Sequence, residues 1–251
     1  MRLSVTLSLW ALLSGVEALS QVVNIEQARV NLDSTGWQAN VDLSYFRQEF
    51  DDDLTTVTGR FSAQKKDSKV YLLLLADAGY SYSQEDVFTN YKLGHVRASV
   101  KCAPRIRWEA FVQAQDNRPL GIQFRSLLGT GPRARIFANE HGRLYGGTTA
   151  MLENEWSTSG IKDHWVGRSS NYINFNWSKE NKWGIASTLY YQPRFSDWSD
   201  YRVSGQHSVV YAFSQRLNAK FEFTHYFDSQ PPSEGLNRSR ITTLGLSYVL
   251  E

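Results

Sequence analysis

The chain carries one cysteine, Cys102, among its 251 residues, so no intrachain disulfide can form and an exported protein of this kind must find its stability in the fold. A lone cysteine of this sort is more often a buried or turn residue than a metal ligand or nucleophile. Long apolar runs are missing as well, with one exception. Leu3 to Val16 is apolar apart from small and hydroxyl residues, follows Arg2, and ends in the small residues near Ala18 to Ser20. That is the layout of a secretory signal peptide over residues 1–20, too short for a spanning helix, which needs about 20 apolar residues. Without another such run, a helical membrane protein is excluded. Charge of one sign is also missing. The formal net charge is +2, with positive and negative residues intermingled, which leaves no basic stripe to follow a nucleic-acid backbone.

Complete chemical signatures are absent too. The sequence has no glycine-rich phosphate loop followed by lysine, no His/Cys pair at metal spacing and no Gly-x-Ser-x-Gly elbow, and neither a metal nor a cofactor is expected. His207-Ser208 suggests a base beside a nucleophile, but adjacent residues on a regular strand point to opposite faces. His164, between Asp163 and Trp165, reads as a solvated loop histidine. A membrane-embedded lipase or protease is therefore the weaker alternative, and the expectation is no enzyme. The glycines of Gly129-x-Gly131 and Gly146-Gly147 read as places for a bend or for close approach between the wall and a lumen side chain, not as a ligand loop.

What the chain does contain is alternation with period two. Trp37, Ala39, Val41, Leu43 and Tyr45 share one face, and Gln38, Asn40, Asp42 and Ser44 the other. The pattern returns over Ile106 to Gln115, Leu217 to Asp228 and Thr242 to Leu250. Weaker versions occupy Thr55 to Gln64, Val70 to Ala78, Asn90 to Lys101, Leu120 to Phe137, Arg143 to Asn154, Ser170 to Ser178, Lys182 to Gln192 and Tyr201 to Phe213. About twelve strands follow, an even number. Tight polar connections alternate with longer ones, the longer set being Gln48 to Leu54, Gly79 to Thr89, Asp116 to Pro119, Glu155 to Ser169, Pro193 to Asp200 and Ser229 to Arg238. This predicts an all-β, closed antiparallel transmembrane barrel over residues 37–251, with a periplasmic lead-in at 21–36, short periplasmic turns and longer extracellular loops. A soluble β-sandwich binding module also alternates, but it has no reason to keep long and short connections in strict order. Nor does it need aromatics near strand ends, where Trp37, Tyr45, Trp108, Trp177, Trp183, Tyr191, Tyr211 and Tyr248 form candidate interfacial girdles.

In this register the polar face holds the chemistry. A lipid-facing Arg or Lys near the midplane costs about 2–4 kcal/mol, so Arg60, Arg97, Arg107, Glu109, Gln113, Arg125, Glu153, Lys220 and Glu222 are assigned to the lumen, with His95 beside Arg97. Mixed signs admit either a plug of paired charges or a wet passage for small solutes. His207 shares a face with Val203, Val209 and Tyr211, as a tolerated neutral imidazole or as a sign of a bulge at Gly205.

Ile106-Arg107-Trp108-Glu109-Ala110-Phe111-Val112-Gln113-Ala114-Gln115, followed by Phe124-Arg125-Ser126-Leu127-Leu128-Gly129-Thr130-Gly131, resembles the aromatic strand and Arg-x-x-x-Gly-x-Gly strand of the YdiY-like outer-membrane proteins. Members of that family have no known function and are often labelled salt-induced. The lead-in Val23-Asn24-Ile25-Glu26 to Gly36 is similar as well. Gln48 to Asp53 departs from the Ser-Gly-Asn turn usual after the first strand. The resemblance implies a Gram-negative outer membrane, with lipid and lipopolysaccharide around the barrel and insertion by the barrel-assembly machinery. It supplies no catalytic residues. The expected role is structural or the passage of small solutes or ions.

Overall fold

The computed structural model describes residues 35–49, 53–83, 86–160, 164–180, 182–214, 217–232 and 235–248. The expected signal segment and most of the lead-in lie outside the described residues. Twelve strands follow in chain order: β1 (Gly36–Gln48), β2 (Leu54–Lys66), β3 (Val70–Ser83), β4 (Asp86–Ala103), β5 (Ile106–Asn117), β6 (Ile122–Ala138), β7 (Gly142–Ser157), β8 (Val166–Lys179), β9 (Trp183–Arg194), β10 (Asp197–Ala212), β11 (Leu217–Asp228) and β12 (Arg238–Tyr248). They form one sheet in which every strand pairs antiparallel with its sequence neighbours. A sandwich needs two packed sheets, and here there is one. Among the described residues no helix is long and apolar enough to cross a membrane.

The sheet curls. Arg202 on β10 reaches Glu153 and Glu155 on β7, and Tyr226 on β11 packs with Leu120 and Ile122 at the start of β6. A flat sheet would keep these strands far apart, since neighbours lie about 4.8 Å from each other. Among the described residues, β1 and β12 are the two end strands, each paired on one side.

Polarity is inverted relative to a water-soluble protein. The concave face buries Arg97, Glu109, Arg125, Glu153, Arg168, Arg202 and Asp228, while the convex face exposes Leu43 (82%), Leu244 (75%), Val112 (56%), Ile173 (55%) and Trp108 (50%). Apolar side chains spread over a whole outer wall are unexpected in water, where contiguous apolar patches stay small. All eight aromatic candidates sit at the rims of this wall. Trp37, Trp108, Trp177, Trp183, Tyr211 and Tyr248 lie toward the short-turn end, and Tyr45 and Tyr191 toward the other, where exposed Tyr80, Tyr82, Trp156 and Trp198 join them.

The strands run further than the alternation suggested, which corrects several expected loops. β3 continues to Ser83 and β4 starts at Asp86; β9 ends at Arg194 and β10 starts at Asp197. Residues 158–165 and 229–237 remain as long connections. The polar residues that read as loop face inward and find partners there, Ser81 in a hydrogen bond with Thr56 at 2.7 Å and Arg168 in an ion pair with Asp200 at 2.8 Å. Polarity inside a curled sheet is no sign of solvent. Leu120, expected to open a strand, instead ends a short 3-10 turn, Arg118–Leu120. The Asn117 side chain accepts from its amide, and Gly121 reverses the chain at φ 71°.

Candidate functional site

The sheet's interior is a packed polar network in two tiers. The tier nearer the long connections is ionic. Arg202 on β10 donates from Nη1 to both oxygens of Glu153 at 2.7 Å, from Nη2 to Glu155 at 3.3 Å and from Nε to Asp228 at 2.8 Å. Arg125 on β6 holds Glu155 through Nε at 2.6 Å and through Nη2. Arg168 on β8 approaches Glu153 at 3.5 Å and binds Asp200 at 2.8 Å, and Arg194 reaches the other Asp200 oxygen at 3.4 Å. Tyr226 donates to Asp228 at 2.9 Å. Four arginines thus meet four carboxylates, and their signs balance. Apart from the half-exposed Arg194, these charged side chains are almost wholly removed from solvent. Buried charges persist where each has a partner and further hydrogen bonds.

The second tier is mixed. Arg97 on β4 donates to Glu109 on β5 at 2.7 Å and lies over the Phe111 ring at 4.6 Å. His95 contacts the Gln113 side-chain oxygen at 2.9 Å, and Gln113 in turn donates to Gln115 at 2.6 Å. Tyr172 reaches across from β8 to Glu109 at 3.5 Å. The space left between these side chains, Leu127 and Tyr190 is about 20 Å³, room for about one water. Gly129 and Gly147 explain how large groups fit so closely. A Cβ at Gly129 would strike the Phe111 ring, and one at Gly147 the Tyr172 ring. These glycines mark close approach of wall and side chain, as expected for Gly129; at 146–147 it is Gly147 that does so.

The nine lumen candidates all lie in the inward register, but they do not form one site. Arg125 and Glu153 belong to the ionic tier, and Arg97, Glu109 and Gln113 to the mixed one. Arg107 is half-buried near the short-turn end, its Nη1 pointing at the Ser99 carbonyl at 3.4 Å. Arg60 is exposed and bridges Asp77 at 2.9 Å, and Lys220 pairs with Glu222 at 2.8 Å. These last two pairs, on β2–β3 and β11, are partly exposed, although inward Gln64, Leu73, Leu75 and Tyr226 on the same strands are buried. Glu155, Arg168, Asp200 and Arg202 are absent from the expected set. The first three fell in segments read as loop. Arg202 sat in a weakly alternating strand, and its parity with Ser204 was the available signal.

His207 and Ser208 do point apart. The ladder through Gly205, His207 and Val209 is continuous, with no bulge. His207 lies on the outer wall, where its Nδ1 contacts Ser187 Oγ at 2.8 Å and its ring stacks with Phe223 and His225. His207 and Ser187 thus pair with each other on the outer wall. His164 is exposed. Cys102 is exposed and lies within β4 near its short-turn end, neither buried nor in the turn itself.

Among curated proteins none matches the chain. Three solved structures with similar chain paths are a NanC porin (9% identity, TM-score 0.46, covering 84% of this chain and 100% of that one), a CymD monoaromatic hydrocarbon channel (11%, 0.42, 86% and 78%) and the β-domain of the Bordetella autotransporter Brka (12%, 0.38, 85% and 98%). At these values neither the fold nor the function of this chain follows from those proteins. The family comparison is decisive: a single family model spans residues 31–249, every described strand included, and the chain belongs to DUF481, a family of proteins of unknown function.

Proposed function

We propose that this protein is an integral barrel of a Gram-negative outer membrane that lets ions and small solutes pass beside a fixed plug of ion pairs. The inversion of polarity carries the reading. An apolar wall ringed by aromatics suits lipid, and a charged interior does not suit the core of a soluble domain. In the membrane β1 and β12 close the sheet, because unpaired strand edges are not tolerated in hydrocarbon. Lipid then covers the wall, lipopolysaccharide surrounds the long-connection end, and insertion depends on the barrel-assembly machinery.

The plug occupies the half of the interior bounded by β4–β10. Across from it, Asn40, Asp42 and Arg60 on β1 and β2 and the inward residues of the short-turn half of β11, Lys220 included, are exposed or half-buried, whereas Gln64 on β2 and Tyr226 and Asp228 on β11 are buried. Uneven filling supports a narrow path along Arg60, Asp77, Lys220 and Glu222. Purified protein in planar bilayers is expected to give small discrete conductance steps, and Lys220→Glu to shift ion preference toward cations, since charge lining a pore sets the sign of the permeant ion. Silent bilayers from protein that still shows heat-modifiable migration would overturn passage and leave a purely structural barrel.

A further inference from the structure

We propose that the short-turn mouth of the barrel is a binding site for a soluble oxyanion carrying two or more negative charges. The observation is a run of like charges placed opposite one another. Lys101 on β4 pairs in register with Arg107 on β5, and Arg107 pairs with Arg133 on β6. Directly opposed like charges destabilise a sheet, and three in a row on one face is a cost that packing alone does not require. Two further guanidinium groups, from Arg135 and Arg143, and that of Arg105 in the β4–β5 turn border the same cavity of about 540 Å³, and no carboxylate lines it.

One acid reaches the cluster from beneath. Glu109, beneath the mouth, takes Arg97 at 2.7 Å and is approached by Arg133 at 4.0 Å. Asp67 accepts from the Ser68 amide at 2.6 Å, and Glu140 faces His141 at 3.3 Å. The guanidinium groups are also held in place. Arg133 stacks on Tyr145 at 3.8 Å, Arg107 points at the Ser99 carbonyl, and Arg135 donates to the Pro104 carbonyl at 3.4 Å. Planar forks fixed by aromatic and carbonyl contacts suit bidentate recognition of phosphate or carboxylate oxygens. The cavity volume falls in the range of small-ligand sites.

The ligand comes from solution rather than from a lipid headgroup. Lys101, Arg107 and Arg133 lie in the inward register, while Trp108, the neighbour of Arg107 along β5, is exposed on the outer wall. The site does not depend on conduction, so its test is separate from that of the passage.

The test is calorimetric titration of the detergent-solubilised full chain with inorganic pyrophosphate, alongside thermal unfolding with and without it. Saturable binding is expected, together with a pyrophosphate-dependent rise in the unfolding midpoint. Arg107→Gln and Arg133→Gln are each expected to weaken binding at least tenfold and abolish that rise, whereas Lys179→Gln, on the same rim outside the cavity, leaves both unchanged. Each variant's heat-modifiable migration reports folding, and in the absence of anion Arg107→Gln is expected to unfold no earlier than wild type, because it relieves repulsion. Binding that Lys179→Gln reduces as much as Arg107→Gln would mean diffuse attraction to a basic rim and would overturn the site. Displacement of pyrophosphate by phosphatidylglycerol vesicles, but not by phosphatidylcholine vesicles, would overturn a soluble ligand in favour of a lipid phosphate.

Discussion

At the scale of single residues, the ionic tier is unusual because Arg202 serves three carboxylates at once. Its Nη1 holds Glu153, its Nη2 reaches Glu155, and its Nε holds Asp228. Removing it leaves buried charge uncompensated, which costs about 3–5 kcal/mol when one partner of a buried pair is deleted. Arg202→Ala is therefore expected to lower folding stability by about that amount, as read from urea unfolding of the detergent-solubilised protein. Asp228→Ala alone should also destabilise. The double variant should lose less than the two single losses combined, with a coupling of about 0.5–3 kcal/mol. Additive losses would mean that the two side chains act independently despite their 2.8 Å contact.

At the scale of strands, the Gly129–Phe111 contact links sequence to packing. Gly129 on β6 lies opposite Phe111 on β5, and the missing side chain is what lets the ring lie flat against the wall beneath Arg97. Gly129→Val should destabilise by about 1–3 kcal/mol, the usual cost of overpacking, and combination with Phe111→Ala should recover part of that loss. No recovery in an unfolding titration would place the strain elsewhere. This contact also shows how far the sequence was legible. The alternation along β5 put Phe111 on the face of Glu109 and Gln113, because period two is dictated by the pleat, and the Gly-x-Gly step on β6 was read as a bend or a close approach. Strand ends were not legible. Glu155, Arg168 and Asp200 look like loop residues to any reading that equates charge with water, and their partners lie on strands remote in the sequence. The ionic tier was therefore seen in part: Arg125 and Glu153 were placed inward, but the convergence of β6, β7, β8, β10 and β11 on Arg202 depends on the curl of the sheet, which no local pattern encodes.

At the scale of the whole molecule, fixed charge is distributed unevenly between the two ends of the sheet. The ionic tier near the long connections is balanced, whereas the short-turn mouth gathers Lys101, Arg105, Arg107, Arg133, Arg135 and Arg143 around a cavity without a lining carboxylate. Low-dielectric walls concentrate such a field and raise the local density of counter-ions. Any ion that enters or leaves through that end must cross it, whichever side of the plug it then takes. Wild-type protein in a bilayer under a potassium chloride gradient is therefore expected to show a reversal potential favouring chloride. Arg107→Glu should move that potential toward potassium, and Arg107→Glu combined with Arg133→Glu should move it further. High salt should shrink all three differences, because the Debye length falls to about 3 Å at 1 M. A reversal potential identical in wild type and both variants at low salt would mean that the conducting path bypasses the mouth, and would leave the basic cavity as a binding site alone.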